Sequence, residues 1–271
     1  MPALKLPRIG FGTWQLKPAD CTSAVLSAIK IGYRLIDTAQ LYFNEAAVGE
    51  AISKSGVPRE EIILATKVGF MNLSEKKVLS SFAASLEKLG TSYVDILYVH
   101  WPILTYNAEK TLKAFCSLVD EGKVRHIGVS NFPVARMEEA LAVCQKHGKN
   151  ILANQVEHHP MLKQPTLREY LAKKDIYLVA YSPIMRGGAA KVTEIGEIAK
   201  KHGVSEAQVC LAWEMSHGAI PIPKATSEPH IADNFKALDL KLDKDDVAKL
   251  DTIPVEKRIV NFPIIHPKWD K

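Results

Sequence analysis

Four ionisable side chains lie at or near the ends of three successive apolar runs of the sequence. Asp37, Lys67 and His100 are each the last residue of such a run, and Tyr42 follows Asp37 by five residues. Taken alone, each residue has a structural interpretation as a helix cap, a packing group or a buried histidine. A lysine that closes an apolar run, however, needs a partner for its charge. Because the three runs are neighbours in the chain, the four side chains are expected to face one site.

A tyrosine, a lysine, a carboxylate and a histidine can together protonate a developing alkoxide. A free tyrosine titrates near pH ~10, and a nearby lysine ammonium is expected to lower that pKa by stabilising the phenolate. Asp37 would keep Lys67 charged and in place, and His100 would orient the substrate oxygen. The set stores no hydride, so a cofactor must supply one. Tyr42 is thus the predicted proton donor.

Eight short apolar runs alternate with longer amphipathic segments along the chain. The runs do not alternate between apolar and polar residues, which is typical of strands that are buried on both faces. They are Ile9–Gly12, Arg34–Asp37, Ile62–Lys67, Val94–His100, Ile127–Ser130, Ala153–Glu157, Tyr177–Tyr181 and Ala219–Pro221. Eight such units predict a single-domain (β/α)₈ barrel over residues 1–271, with catalytic groups at the C-terminal ends of its strands.

An open, doubly wound sheet is the competing architecture. It would carry a glycine-rich fingerprint after the first strand, and Gly10–Trp14 does not match that fingerprint.

The intervening segments have helical periodicity and end signals. Val78, Leu79, Phe82, Leu86 and Leu89 share one face of a predicted helix that Ser74 begins and Gly90 stops. Further helices are predicted over Val134–His147, Thr193–His202 and Ser205–Met215, and from an Asp243 cap through Leu250.

Composition narrows the class of protein. The 271 residues are 47% hydrophobic and 24% charged, with a net charge of +5 and no basic block of the kind that nucleic-acid binders carry. The four cysteines, which are not at metal or redox spacing, indicate reduced core thiols. With no signal-peptide pattern and no membrane-length apolar run, we expect a cytoplasmic protein without nucleic-acid or membrane partners. The sequence has no obvious association patch, so we expect a monomer.

Motifs in register across the whole chain resemble those of the aldo-keto reductases. A first signature is Gly32–Ala39 followed by Glu45, Val48 and Gly49. The others are Gly12–Trp14, Thr66–Val68, His100–Pro102, Ile127–Phe132, Asn154–Glu157, Tyr181–Pro183 and Ile222–Lys224 with Asn234. The resemblance implies an oxidoreductase that reduces aldehydes or ketones with NADPH.

The resemblance also implies site residues. The catalytic tetrad would be Asp37, Tyr42, Lys67 and His100, and the substrate pocket would be walled by Trp14, Phe70 and Trp101. The nicotinamide would pack on Tyr181, its carboxamide held by Ser130, Asn131 and Gln155, and Lys224 would meet the 2′-phosphate. The remaining cofactor-binding positions implied are Gly12, Thr13, Trp14, Asp37, Ser182, Pro183, Ile184, Ile222, Pro223, Ala225, Thr226, His230, Asp233 and Asn234.

Two departures from the family pattern concern the cofactor's phosphate. Ala225 follows Lys224 where the family usually has serine or threonine, and His230 stands where it has arginine. A neutral histidine offers one hydrogen-bond donor, whereas a guanidinium is charged and can form a bidentate pair of hydrogen bonds. Thr226 could supply a hydroxyl instead. We expect NADPH to be preferred, with appreciable use of NADH.

Short segments after Pro102 and after Pro254 make the predicted site open, which favours varied substrates. This short form resembles the microbial branch of diketogluconate and methylglyoxal reductases.

Two rival enzymes are a lyase that uses Lys67 as a Schiff base and a metal hydrolase built on His158 and His159. The rival from another class is a slow, nicotinamide-binding regulatory protein of the same fold.

Overall fold

The computed structural model describes residues 4–254, 257–260 and 266–270. Its centre is a sheet of eight parallel strands in the order β1 to β8. The strands are β1 (Phe11–Gly12), β2 (Leu35–Asp37), β3 (Ile63–Val68), β4 (Val94–Val99), β5 (Val124–Ser130), β6 (Ile151–Glu157), β7 (Tyr177–Tyr181) and β8 (Ile220–Pro221). Backbone hydrogen bonds from Gly10 N to Pro221 O (2.9 Å) and from Gly12 N to Pro223 O (3.1 Å) join the first strand to the last. The sheet therefore closes into the predicted barrel.

Helices follow each strand and cover the outside of the barrel. They are α1 (Pro18–Ile31), α2 (Glu45–Lys54), α3 (Glu75–Leu89), α4 (Ala108–Asp120), α5 (Val134–Lys146), α6 (Pro165–Lys173), α7 (Thr193–His202), α8 (Glu206–Ser216), α9 (Glu228–Lys236) and α10 (Lys244–Asp251). Short 3-10 turns lie at Gln40–Tyr42, Arg59–Glu61 and Met185–Lys191. Within the described ranges, no helix is both long enough and apolar enough to cross a membrane.

The first and last strands are shorter than predicted. Both contain only two residues, whereas the apolar runs Ile9–Gly12 and Ala219–Pro221 are longer. Pro221 lacks the N–H that a ladder would need, although the next residue, Ile222, still donates to the Ala180 backbone oxygen at 3.0 Å.

Two layers of apolar packing hold the barrel together. Leu6, Ile96, Tyr98 and Val179 belong to a cluster of buried side chains contributed by the strands and by the segment that precedes β1. A larger cluster packs the strands against the surrounding helices. Cys21, Cys116, Cys144 and Cys210 are free and buried, as predicted.

Helix α3 begins and ends where its signals predict, but one residue of its predicted apolar face is wrong. Gly90 takes the left-handed conformation (φ 62°) that stops the helix. Leu79 is exposed, and Ser85 is buried in its place on the inner face. Ser85 shares the inward face with Val78, Phe82 and Leu89 by helical spacing, and its hydroxyl donates to a Glu45 carboxylate oxygen at 3.3 Å.

A pair of helix glycines offers a test of this packing. A Cβ on Gly49 would lie 2.4 Å from the backbone oxygen of Leu89, because α2 and α3 cross closely there, whereas a Cβ on Gly196 in α7 would meet nothing within 4 Å. We expect Gly49→Ala to lower the free energy of unfolding by about 1–3 kcal/mol. Gly196→Ala should raise it by about 0.5–1 kcal/mol through helix propensity. Urea unfolding of both variants measures this, and equal effects would contradict the close approach.

Candidate active site

Lys67 links the other two members of a buried charge cluster at the mouth of the barrel. Its ammonium donates to Asp37 Oδ1 in a very short ion pair and to the backbone oxygen of Thr38 at 3.0 Å. It also lies 3.2 Å from the Tyr42 hydroxyl. The other oxygen of Asp37 accepts a hydrogen bond from Gln155 Nε2 at 2.8 Å. The structure thus brings Asp37, Tyr42 and Lys67 into one hydrogen-bonded group.

His100 completes the group from the end of β4. Its ring packs edge-on against the Tyr42 ring, with 5.7 Å between centroids. Its Nδ1 is buried and has no hydrogen-bond partner among the described residues. The backbone oxygen of His100 accepts from Asn131 Nδ2 at 3.0 Å, which ties β4 to the end of β5. All four predicted catalytic side chains therefore meet at one site.

Tyr42 is positioned by a 3-10 turn that Gln40 ties to β3 and α3. The Gln40 side chain donates to the hydroxyls of Ser81 (3.2 Å) and Ser85 (3.1 Å). Its oxygen accepts from the backbone N–H of Gly69 at 3.1 Å. Sequence reasoning missed Gln40, because nothing in the local pattern links it to residues forty positions away.

Asn44 fixes the other end of this segment. Its amide donates to the backbone oxygens of Thr13 (2.9 Å) and Leu16 (3.1 Å), and its oxygen accepts from the Thr38 hydroxyl at 2.8 Å. The loops after β1 and β2 are joined by these bonds.

Burial dominates the electrostatics of the cluster. Burial raises the pKa of Asp37, and the charge and hydrogen bond of Lys67 oppose that shift. Burial likewise lowers the pKa of Lys67, and Asp37 opposes it. For His100, burial and then the Lys67 charge hold the pKa well below 6.5.

The prediction that Lys67 lowers the pKa of Tyr42 is wrong. Burial, followed by the negative charge of Asp37, raises the Tyr42 pKa well above its ordinary value of 10. The ammonium of Lys67 does not reverse this, because desolvation of the phenolate by the surrounding protein is the larger effect. Tyr42 therefore keeps its proton throughout the neutral range.

Asp37, Tyr42 and His100 line a cavity of about 670 Å³. Every predicted substrate-pocket residue lines it, as do most of the predicted cofactor positions. The predicted residues on its wall are Gly12, Trp14, Asp37, Tyr42, Phe70, His100, Trp101, Ser130, Asn131, Gln155, Tyr181, Ser182, Pro183, Ile184, Ile222 and Lys224. This volume falls in the range of small-molecule and cofactor sites.

The cavity wall suits a nicotinamide cofactor. The half-exposed Tyr181 ring supplies an aromatic surface, and the Tyr181 hydroxyl donates to Asn131 Oδ1 at 2.8 Å. Asn131 also donates to the Ser130 hydroxyl at 3.0 Å, so these polar groups hold one another in place. Lys224, which is exposed, adds a positive charge to the same cavity. An aromatic face, amide groups and a cation are what the ring, carboxamide and phosphate of such a cofactor require.

The remaining predicted cofactor positions do not line the cavity. Thr13 is buried and donates to the backbone oxygen of Asp37 at 2.9 Å. Asp233 accepts from Ser205 and Gln208, both at 2.6 Å. The others are Pro223, Ala225 and Asn234, which are buried, and Thr226 and His230, which are exposed near Lys224 in the sequence.

Several lining residues were missed by sequence reasoning. Arg186 lies in a segment with left-handed backbone (φ 54°), and its guanidinium stacks 4.3 Å from the centre of the Trp14 ring. The other missed residues are Gln15, Leu41, Gly187, Ile259 and Val260. Long-range contacts bring them to the cavity, so no local motif marks them.

His158 and His159 point to different partners, which argues against a shared metal site. His158 Nδ1 lies 2.5 Å from a Glu214 carboxylate oxygen, and His159 Nε2 lies 3.0 Å from Glu157. Across the described ranges, no cluster of three or more His, Cys, Asp or Glu side chains could hold a metal ion.

Known proteins are similar to this chain in sequence and in fold. Residues 8–254 match the model of the Aldo/keto reductase family. A 9,11-endoperoxide prostaglandin H2 reductase from Trypanosoma cruzi is 40% identical over 96% of this chain and 92% of its own length. Methylglyoxal reductase DkgB from Escherichia coli O157:H7 is 39% identical over 98% of this chain and all of its own.

A solved structure agrees in fold as well as in sequence. It is described as that of a candidate 2,5-diketo-D-gluconic acid reductase B, and it superposes with a TM-score of 0.94 at 36% identity, covering 98% of this chain and 94% of the other. The predicted resemblance is confirmed: the chain belongs to the aldo/keto reductase family.

Proposed function

We propose that this protein is an NADPH-dependent reductase of small aldehydes, dicarbonyls and keto sugars. The observation that carries the proposal is the position of the buried Lys67 ammonium, which is bonded to Asp37 and lies 3.2 Å from the Tyr42 hydroxyl. Asp37 and Tyr42 both line the cavity. The curated relatives named as methylglyoxal and prostaglandin reductases support carbonyl reduction.

In the proposed mechanism, Tyr42 is the general acid. The hydride for the carbonyl carbon would come from a nicotinamide cofactor bound in the cavity. The carbonyl oxygen lies against the Tyr42 hydroxyl and the His100 ring, and Tyr42 donates its proton as negative charge develops there. Lys67 stabilises the resulting phenolate, and Asp37 holds the ammonium in place. Trp14, Phe70 and Trp101 wall the reacting centre and limit access of water.

The cofactor residues are assigned by the same argument. Tyr181 would stack on the nicotinamide, with Ser130, Asn131 and Gln155 bonding the carboxamide, and Lys224 would neutralise phosphate. The lining positions Gly12 and Ser182–Ile184 would contact the rest of the cofactor.

The NADPH preference is expected to be moderate. Because His230 and Ala225 replace stronger phosphate ligands, kcat/KM for NADPH should exceed that for NADH by less than about a thousandfold. His230→Arg should raise this ratio about tenfold or more, since an arginine adds a charged hydrogen bond. Parallel kinetics with both cofactors measure the ratio. A wild-type preference of several thousandfold contradicts the expectation.

The activity should change little across neutral pH. The lowered pKa of His100 means that the neutral ring persists as the pH falls through 6.5, and the raised pKa of Tyr42 means that the phenol persists until the pH rises above 10. We therefore expect kcat/KM with methylglyoxal to be flat between about pH 6 and pH 9. An acid-side break near 6.5 that disappears in His100→Gln would show that His100 titrates normally.

A screen of NADPH consumption over aldehydes, dicarbonyls and keto sugars tests the function itself. Turnover with several of them is expected. The alternative, a regulatory protein of the same fold, predicts tight NADPH binding with negligible turnover, and nothing in the fold or the relatives favours it. A monomeric state and a cytoplasmic location remain predictions.

A further inference from the structure

The segment after α10 forms part of the cavity wall. Residues 257–260 and 266–270 of this segment are here called the tail. Ile259 and Val260 line the cavity together with the tryptophans and Tyr42. Their position depends on what holds the tail to the barrel, because they lie outside every helix and strand.

The carboxylate of Glu157 binds two consecutive N–H groups of the tail. One oxygen accepts from the backbone of Ile259 at 2.6 Å, and the other accepts from the backbone of Val260 at 2.7 Å. Glu157 is fully buried (0% exposed), and its first oxygen also lies 3.0 Å from His159 Nε2. Hydrogen bonds to a desolvated carboxylate are short and strong, so this is a firm anchor.

Neighbouring bonds hold the tail at the same place. The backbone oxygen of Glu157 accepts from Gln164 Nε2 at 2.5 Å, and Gln164 in turn accepts from Arg258 at 3.2 Å. The backbone N–H of Lys257 donates to the backbone oxygen of Met161 at 2.7 Å. Four consecutive tail residues are therefore attached to the end of β6 and the loop after it.

The same attachment reaches a second residue of the cavity wall, Trp101. The Arg258 guanidinium stacks 3.7 Å from the centre of the Trp269 ring. Trp269 meets the pocket residue Trp101 edge-on, with 6.2 Å between centroids. A displacement of the tail near Glu157 would therefore move two parts of the cavity wall.

Strand β6 connects this anchor to the charge cluster. Gln155 and Glu157 are two residues apart on one strand, so their side chains point to the same side. The Gln155 side chain donates a hydrogen bond to Asp37, and the Glu157 side chain accepts hydrogen bonds from the tail. One rigid strand end therefore sets the tail relative to the reacting groups.

We propose that Glu157 is a positioning residue that holds the tail against the cavity and thereby sets the affinity for the carbonyl substrate. The assignment rests on the proposed reductase function. Glu157 touches neither the proton donor nor its partners in any described bond, so it acts on substrate binding rather than on the chemical step.

Glu157→Gln tests the proposal, with Glu214→Gln as its matched control. Glu214 is equally buried and paired with a histidine (2.5 Å to His158), but no described bond joins it to the tail. In Glu157→Gln one N–H of the tail must face an amide NH₂. We expect KM for 4-nitrobenzaldehyde to rise about tenfold, kcat to stay within about threefold, and hydrogen exchange at Ile259 and Val260 to quicken about tenfold to a hundredfold. Glu214→Gln should change none of these.

A second variant acts from the tail side and leaves the barrel intact. Val260→Pro removes one of the two donors, and it should raise KM as Glu157→Gln does. The double variant should raise KM no further than about twofold beyond either single change, because both remove one interaction. If Glu157→Gln does not fold, Val260→Pro decides the matter alone.

Unchanged exchange and KM in these variants, or equal changes in Glu214→Gln, would overturn the proposal. Absence of turnover in the unaltered protein would instead refute the reductase function. The exchange comparison would still show whether Glu157 anchors the tail.

Discussion

Replacing Tyr42 by phenylalanine is expected to lower kcat with methylglyoxal by about 10²–10⁴-fold. The change removes the hydroxyl that lies 3.2 Å from Lys67 but keeps the ring that packs on His100. Only the proton donor is lost, so Tm should change little and the affinity for NADPH should stay the same. Steady-state kinetics, thermal unfolding and a fluorescence titration with NADPH measure the three quantities.

Tyr106→Phe is the matched control for this change. Its hydroxyl is also buried but has no hydrogen-bond partner among the described residues, and its ring packs on Phe132 at 5.4 Å. Removing that hydroxyl should leave kcat unaltered. Activity of Tyr42→Phe within tenfold of the unaltered enzyme would show that another group supplies the proton.

Replacing Lys67 by methionine is expected to destabilise the fold as well as to abolish turnover. Lys67 is fully buried and paired with Asp37, which would be left as a buried carboxylate with Gln155 as its remaining side-chain donor. Breaking a buried ion pair on one side typically costs about 3–5 kcal/mol. Urea unfolding of the variant measures that loss, and kcat should fall because the Tyr42 phenolate loses its counter-ion.

The double variant Asp37→Asn with Lys67→Met separates stability from chemistry. Because neither charge remains, most of the lost free energy of unfolding should return, while kcat should stay low. Activity that recovers together with stability would mean that Lys67 serves the fold alone. A double variant as unstable as Lys67→Met would mean that packing, not charge, explains the loss.

Periodicity determined the architecture from sequence alone. Apolar runs buried on both faces and separated by amphipathic segments have few ways to pack other than a barrel with helices outside. Six of the eight predicted runs overlap their strand by at least three residues, and the other two, at β1 and β8 where the barrel closes, overlap by two residues. The strand-end rule also brought Asp37, Lys67 and His100 together, because parallel strands open their C-terminal ends on one side.

Tertiary structure decided what depends on distant contacts and on solvent. The Tyr42 pKa follows from desolvation and from Asp37, so its direction could not be deduced from the presence of a lysine. Ser85 is buried on the inner face of α3, and Glu45, the residue that accepts its hydrogen bond, is brought there only by the fold. Gln40 and Glu157 are ordinary polar residues in the sequence, and they acquire roles only where the fold sets Gly69 and the tail beside them. Residue types and spacing therefore determined the barrel and the groups at its mouth, whereas burial and long-range hydrogen bonds decided how those groups are charged, held and enclosed.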